Sequence, residues 1–329
     1  MQINVKGISE VFRSQNLFMA IYTKLLENEI QEIMGRYELS VTSYEPIAQG
    51  SGNSNYLLNT NPGKFVLTVF EIEPIRAVYS SKVLLLLEKH EFPAPRLQKM
   101  ANGEMLTKYQ GKPVLVKPYI TGYVESDIDD EKAKQVGTAL AKLHEIPVPD
   151  YLPEKHYYVE ITYPKFMEQE IDRNYKTWVE QRYRYIIEKL PSQLPVGLVH
   201  GDIFYDNVLF EDENFKAILD FSEVSRIYKI YDLGMAAVGI CTEETNNVIE
   251  KVRALVEGYQ EIRLLEEIEI DSLQLCIEWA AILTSTWRFW KFNIDMPDAD
   301  KSEKYMQMVS IAKNASAIPK EEFKMAVFS

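Results

Sequence analysis

The stretch that most constrains this chain is Leu198-Val-His-Gly-Asp-Ile-Phe-Tyr-Asp-Asn-Val-Leu-Phe210, followed by Ala217-Ile-Leu-Asp-Phe-Ser222. Apolar runs flank a glycine-centred turn, a pattern that predicts strand, loop and hairpin. The loop presents Asp202, with Asn207 five residues on, and the hairpin returns the chain to Asp220, eighteen residues after Asp202. Phosphoryl transfer asks for such a set: one carboxylate to orient and deprotonate a hydroxyl, and oxygen ligands for the Mg²⁺ that offsets phosphate charge. Asp202 fits the first role, and Asn207 and Asp220 the second.

The texture of the chain changes around this motif. Residues 1–40 read as a helical N-terminal extension, with Phe18, Ile21, Leu25 and Ile30 near helical spacing. Residues 41–121 read as a β-rich lobe. There Ile47, Tyr56–Leu58 and Phe65–Phe70 are short apolar segments, separated by Gly50-Ser51-Gly52-Asn53 and Asn61-Pro62-Gly63. A helix is expected from Pro74 to His90, then strands near Met105–Tyr109 and Pro113–Tyr119. Residues 122–329 read as mainly helical, with Asp129 or Asp130 as an N-cap and one strand-rich island at Leu198–Leu219. The plan is α+β and bilobal, and a cleft between such lobes is the usual place for a ligand.

His200-Gly201-Asp202…Asn207 with Asp220-Phe221 resembles the motif of the aminoglycoside phosphotransferase/choline kinase superfamily, which has HGD where protein kinases have HRD. Gly50–Tyr56, Gly63–Glu71, Tyr231-Asp232-Leu233 and Trp287-Arg288-Phe289-Trp290 look like its homoserine kinase branch. The resemblance implies a protein-kinase-like fold, with a small antiparallel β N-lobe and a larger helical C-lobe. It also implies ATP and Mg²⁺ as cofactors, Asp202 as catalytic base, Asn207 and Asp220 as metal ligands, and His200 as a brace. The implied reaction is transfer of the γ-phosphoryl group to a hydroxyl of a small amino alcohol or hydroxy amino acid, with homoserine leading. The chain departs from that branch at Ala236-Ala237-Val238-Gly239, where homoserine kinases tend to carry Asn-Asp-Trp. Choline, ethanolamine and aminoglycosides therefore stay open as acceptors, as does a nucleotide-binding pseudokinase. Protein kinase activity is disfavoured, because no Ala-Pro-Glu segment follows Asp220.

Nucleotide contacts are expected from Ser51, Gly52, Asn53 and Asn55, whose small side chains let backbone N–H groups approach phosphates. Pro118 and Ile120 are the hinge candidates, one offering a carbonyl to adenine and the other an N–H. Thr68 stands where kinase-like folds usually place a lysine, and the Pro74–His90 segment has no acidic residue before Glu88. Both members of that ion pair are missing together, so no buried charge is left unpaired. On the acceptor side, Asp206 and Glu223 could hold an ammonium, and Arg288 a carboxylate or a structural partner, Asp232 or a helix end. Trp279, Trp287, Phe289 and Trp290 could form a cation cage, although aromatics at helical spacing are more often core.

Composition narrows the classes further. A net charge of −13 argues against nucleic-acid binding, which needs a basic face. No apolar run approaches the roughly 20 residues of a membrane span, and no signal peptide is read at the N-terminus. Two cysteines, Cys241 and Cys276, both in apolar stretches, read as free buried thiols of a cytoplasmic protein.

Overall fold

The structure, a computed structural model, describes residues 23–47, 52–71 and 73–329. The helical reading of Phe18 and Ile21 lies outside them. The chain forms two units, one reaching to Ser81 and including Arg96–Ile120, the other combining Lys82–Pro95 with Thr121–Ser329.

The first unit is a five-stranded antiparallel sheet: β1 (Val41–Ile47), β2 (Asn53–Thr60), β3 (Gly63–Phe70), β4 (Leu106–Tyr109) and β5 (Lys112–Pro118). Its order is β1-β2-β3-β5-β4. Strand alternation puts Tyr56, Leu58, Leu67, Val69, Val114 and Val116 on one face. Helix α1 (Glu27–Gly35) covers that face with Ile30, Ile33 and Met34. Each such side chain contributes roughly 1.5–3 kcal/mol by leaving water. Glu29 accepts from the Leu26 N–H at 2.7 Å and lies in the first turn, where negative charge suits the helix dipole. Helix α1, from the segment read as an N-terminal extension, shares one core with the sheet.

The glycine loop is shorter than its sequence suggested. Asn53, Ser54 and Asn55 already belong to β2, paired with Phe70, Val69 and Thr68. Ser54 faces inward, where its hydroxyl donates to Glu71 Oε1 at 2.5 Å. Glu71 Oε2 also binds Lys112 Nζ at 2.6 Å and the Thr23 hydroxyl at 3.0 Å. On the opposite face of the sheet, the Thr68 hydroxyl donates to Asn55 Oδ1 at 2.7 Å.

Helix α2 (Pro74–Lys89) passes from the first unit into the second. The second unit is mainly helical: α3 (Asp130–His144), α4 (Tyr163–Met167), α5 (Arg173–Lys189), α6 (Ile230–Gly239), α7 (Ile249–Gln260), α8 (Glu267–Ile270), α9 (Leu273–Trp290), α10 (Lys304–Ala317) and α11 (Lys320–Phe328). Asp129 caps α3 by accepting from the Lys132 N–H at 2.8 Å, and Val136, Leu140 and Leu143 are buried on one side of that helix. The strand island extends past Leu219. Strand β6 (Val196–Val199) pairs with β9 (Ser225–Tyr228), and β7 (Val208–Glu211) pairs with β8 (Asn214–Ile218). Cys241 and Cys276 are buried free thiols. Among the described residues no helix is long and apolar enough to cross a membrane.

Candidate active site

Strand β6 ends in a sharp turn at His200-Gly201. Gly201 has φ +85°, and a Cβ there would lie 2.4 Å from His156 Nε2, so both backbone and space call for glycine. The turn is pinned from beneath. Asp232 of α6, fully buried, accepts from the His200 N–H with Oδ2 and from the Gly201 N–H with Oδ1, both at 2.7 Å. Oδ2 also meets His144 Nε2 at 3.1 Å, and His144 Nδ1 meets the Tyr259 hydroxyl at 2.7 Å. A carboxylate only accepts, so Nε2 of His144 carries the proton. Burial by itself would raise the Asp232 carboxyl, but the hydrogen bond and charge of His144 and the Gly201 N–H hold it below the usual carboxylate range.

His200 links the two acidic loops. Its Nε2 donates to the Leu219 carbonyl at 2.7 Å, and its Nδ1 accepts from the Asp202 N–H at 3.1 Å. These partners define the neutral tautomer, and burial pushes the imidazole pKa down. The Leu219 N–H in turn donates to the Asn207 carbonyl at 2.8 Å. Asp220 follows Leu219 with φ +49°, a left-handed conformation uncommon outside glycine and frequent where a side chain must be aimed.

Asp202 is gripped at both carboxylate oxygens. Asn207 Nδ2 donates to Asp202 Oδ2 at 3.1 Å and to its backbone carbonyl at 2.8 Å. That leaves Asn207 Oδ1 as the amide's remaining acceptor. The Tyr158 hydroxyl donates to Asp202 Oδ1 at 3.3 Å. Burial raises the Asp202 carboxyl well above its ordinary value, and the charges of Glu223, Asp206 and Asp220 push the same way. Burial also raises Asp206, against the opposing charge of Arg288. Among the described residues, no three His, Cys, Asp or Glu side chains form a metal cage by themselves.

The structure thus places Asp202, Asp206, Asn207, Asp220 and Glu223 around one loop. Ser51 lies outside the described residues. Gly52 stands at the bend before β2, Asn53 and Asn55 are strand residues, and Thr68 pairs with Asn55. Pro118 closes β5 opposite Phe65, and Ile120 ends the first unit.

Two expectations change. Arg288 does not reach Asp232: its Nη1 donates to Gln307 Oε1 at 2.9 Å and to the Lys304 carbonyl at 3.3 Å. The four aromatics do not form a cage. Trp279 packs on Tyr231, Phe289 on Phe166 and Tyr305, and Trp290 under Lys165, while Trp287 alone stacks on Tyr158, with ring centroids 6.0 Å apart. His156 donates from Nε2 to the Gly201 carbonyl at 3.0 Å and accepts the Tyr158 N–H on Nδ1. Tyr158 itself went unnoticed in the sequence. It opens a wide π-type turn, Tyr158–Thr162, a local irregularity that often accompanies function but has no simple sequence signature.

An antiparallel sheet unit followed by a helical unit with a pinned His-Gly-Asp loop defines a kinase-like phosphotransferase. The chain belongs to the phosphotransferase enzyme family, whose model matches residues 43–265. It is similar to the homoserine kinase of Agrobacterium fabrum, 28% identical over 274 residues, covering 80% of this chain and 85% of that one. In fold it is similar to a microcompartment-associated aminopropanol kinase, with a TM-score of 0.70 at 16% identity, covering 87% of this chain and 95% of that one. It is also similar to a choline kinase of Streptococcus pneumoniae, with a TM-score of 0.69 at 15% identity, covering 89% and 99%. The protein is an ATP-dependent phosphotransferase that acts on hydroxyl groups.

Proposed function

We propose that the protein phosphorylates the side-chain hydroxyl of a small hydroxy amino acid, with homoserine the leading acceptor. The observation that carries this reading is the Asp202 carboxylate, held from one side by Asn207 and from the other by Tyr158. The similarity to homoserine kinases over most of the chain supports the choice of acceptor. So does the dispersal of Trp279, Trp287, Phe289 and Trp290, which do not come together as one cage for a quaternary ammonium.

In this reading Asp202 orients the acceptor hydroxyl and takes its proton as the oxygen bonds to the γ-phosphorus. The bond from that phosphorus to the β–γ bridging oxygen breaks, and ADP departs. The proton passes from Asp202 to solvent. Asn207 Oδ1 and the exposed Asp220 carboxylate are hard oxygen donors fit to hold Mg²⁺, which when bound neutralises phosphate charge. Gly52, Asn53, Asn55 and Thr68 serve the phosphates, Pro118 and Ile120 serve adenine, and Asp206 and Glu223 face the acceptor's ammonium. Ser51 is kept as a phosphate contact from the sequence.

The test is ADP release from Mg·ATP with homoserine, serine, choline, ethanolamine and kanamycin, using Asp202→Asn as the blank. An Asp202-dependent signal with homoserine is expected. Turnover of choline or kanamycin in its place would overturn the acceptor assignment, and normal turnover by Asp202→Asn would remove the base.

A further inference from the structure

We propose that Arg288 is the acceptor's carboxylate receptor and that Gln307 holds it in that role. The inference rests on the amino-acid acceptor proposed above and deepens it. Arg288 and Trp287 are neighbours near the end of α9, and each is tied to the catalytic loop by a different contact. The Arg288 guanidinium lies 6.0 Å from the ring of Phe204, two residues beyond Asp202. Trp287 stacks on Tyr158, whose hydroxyl donates to Asp202. The guanidinium is half-buried and close enough to Asp202, Asp206 and Tyr205 to feel their charges.

Anchoring divides the five N–H donors of this arginine. Nη1 is taken by the side chain of Gln307 and the carbonyl of Lys304, both in α10. Nε and Nη2 keep one parallel pair of N–H groups, the fork that matches the two oxygens of a carboxylate. Other arginines of this chain spend paired donors on a protein acceptor: Arg182 and Arg263 on the carboxylates of Glu278 and Glu269, and Arg253 on the Ala326 carbonyl. Arg288 instead makes one-sided contacts to an amide and a carbonyl of α10 through Nη1, while its guanidinium lies beside Phe204 of the catalytic loop. A ligand carboxylate is the chemistry that completes it. Arg288 thereby separates a hydroxy amino acid from an amino alcohol of equal length.

The experiment compares kcat/KM for homoserine with that for propanolamine, which is homoserine without its carboxylate. Wild type, Arg288→Gln and Gln307→Ala are measured at fixed Mg·ATP. Wild type is expected to prefer homoserine by about 100-fold, the worth of a charge-assisted bidentate pair. The preference should fall to within about threefold in Arg288→Gln and to an intermediate value in Gln307→Ala, each through the homoserine arm. A wild type that uses both acceptors equally, or a preference that survives in both variants, overturns the carboxylate receptor and leaves the kinase reading standing. If wild type phosphorylates neither acceptor, the amino-acid reading falls and this inference falls with it. Should Arg288→Gln fail to fold, an undiminished preference in Gln307→Ala still overturns the anchoring.

Discussion

The carboxylate of Asp232 accepts from the backbone N–H of Gly201 at 2.7 Å, and from the His200 N–H with its other oxygen. A side chain thirty-one residues downstream thus fixes the turn that aims Asp202. In Asp232→Asn, an amide N–H₂ must face one of three donors: the two backbone N–H groups or His144 Nε2. A buried donor left unpaired costs about 1–3 kcal/mol, so the urea midpoint should drop accordingly. An unchanged midpoint would remove Asp232 from this role.

The same carboxylate makes stability depend on acid. Its folded pKa lies below that of an ordinary aspartate, so its contribution is fully present above the unfolded pKa and is lost as pH falls through the folded one. His144, His200, Tyr259 and Tyr231 are the titratable groups that face this network. The stability gap between wild type and Asp232→Asn should therefore hold steady near neutrality and narrow below about pH 4. Denaturation across an acid series checks it, and a gap that widens on acidification would contradict the assignment.

Tyr158 should matter for turnover more than for binding. Its hydroxyl grips Asp202 Oδ1 at 3.3 Å, a long bond to a charged acceptor, worth about 1.5 kcal/mol. Tyr158→Phe keeps the stacking on Trp287 and removes the hydroxyl that makes that bond. A fall of about tenfold in kcat is expected, with KM for ATP and acceptor little changed. A rise in KM at constant kcat would assign Tyr158 to acceptor binding in place of positioning.

Gly239 supports the catalytic loop by having no side chain. A Cβ there would sit 2.1 Å from the Ile203 carbonyl oxygen, a backbone atom that cannot swing aside. Gly239→Ala must therefore push the Asp202 loop away from α6, at about 1–3 kcal/mol of overpacking. A displacement near one ångström costs about 100-fold in rate, so kcat should collapse in a protein that still folds by circular dichroism. The Ala236–Gly239 departure from the homoserine kinase pattern also falls here, in buried helix beneath the loop.

What the sequence displayed of the site is what lies close together along the chain. Asp202, Asn207 and Asp220 occupy one loop and hairpin, so their spacing alone grouped them. Tyr158 meets Asp202 across 44 residues and His144 meets Asp232 across 88, and neither separation leaves a local pattern to read. The strands of the β-rich unit were legible because short apolar, β-branched or aromatic segments are set apart there by glycine, proline and asparagine turn signals. The inward turn of Ser54 was not, since it depends on Glu71 and Lys112, brought together only by the fold. The shared core of α1 and the sheet was likewise invisible, because helical periodicity shows which face is apolar and not what that face meets.

Thr68 offers the sharpest test of whether the strand lysine of kinases can be restored by substitution alone. The side chain is 3% exposed, and its hydroxyl satisfies Asn55 Oδ1. Thr68→Lys would take away that donor and introduce an ammonium. The Pro74–Lys89 helix has no acidic residue in its first turn, and its first carboxylate is Glu88, near the far end. A buried charge lacking its partner destabilises by about 3–5 kcal/mol, far more than one phosphate contact returns in the absence of nucleotide. The thermal midpoint of the nucleotide-free variant should therefore fall steeply, and saturating Mg·ATP should recover only part of the loss. A variant as stable as wild type and faster in turnover would mean that the fold retains a place for the lysine, and that threonine there is a loss and not an adaptation.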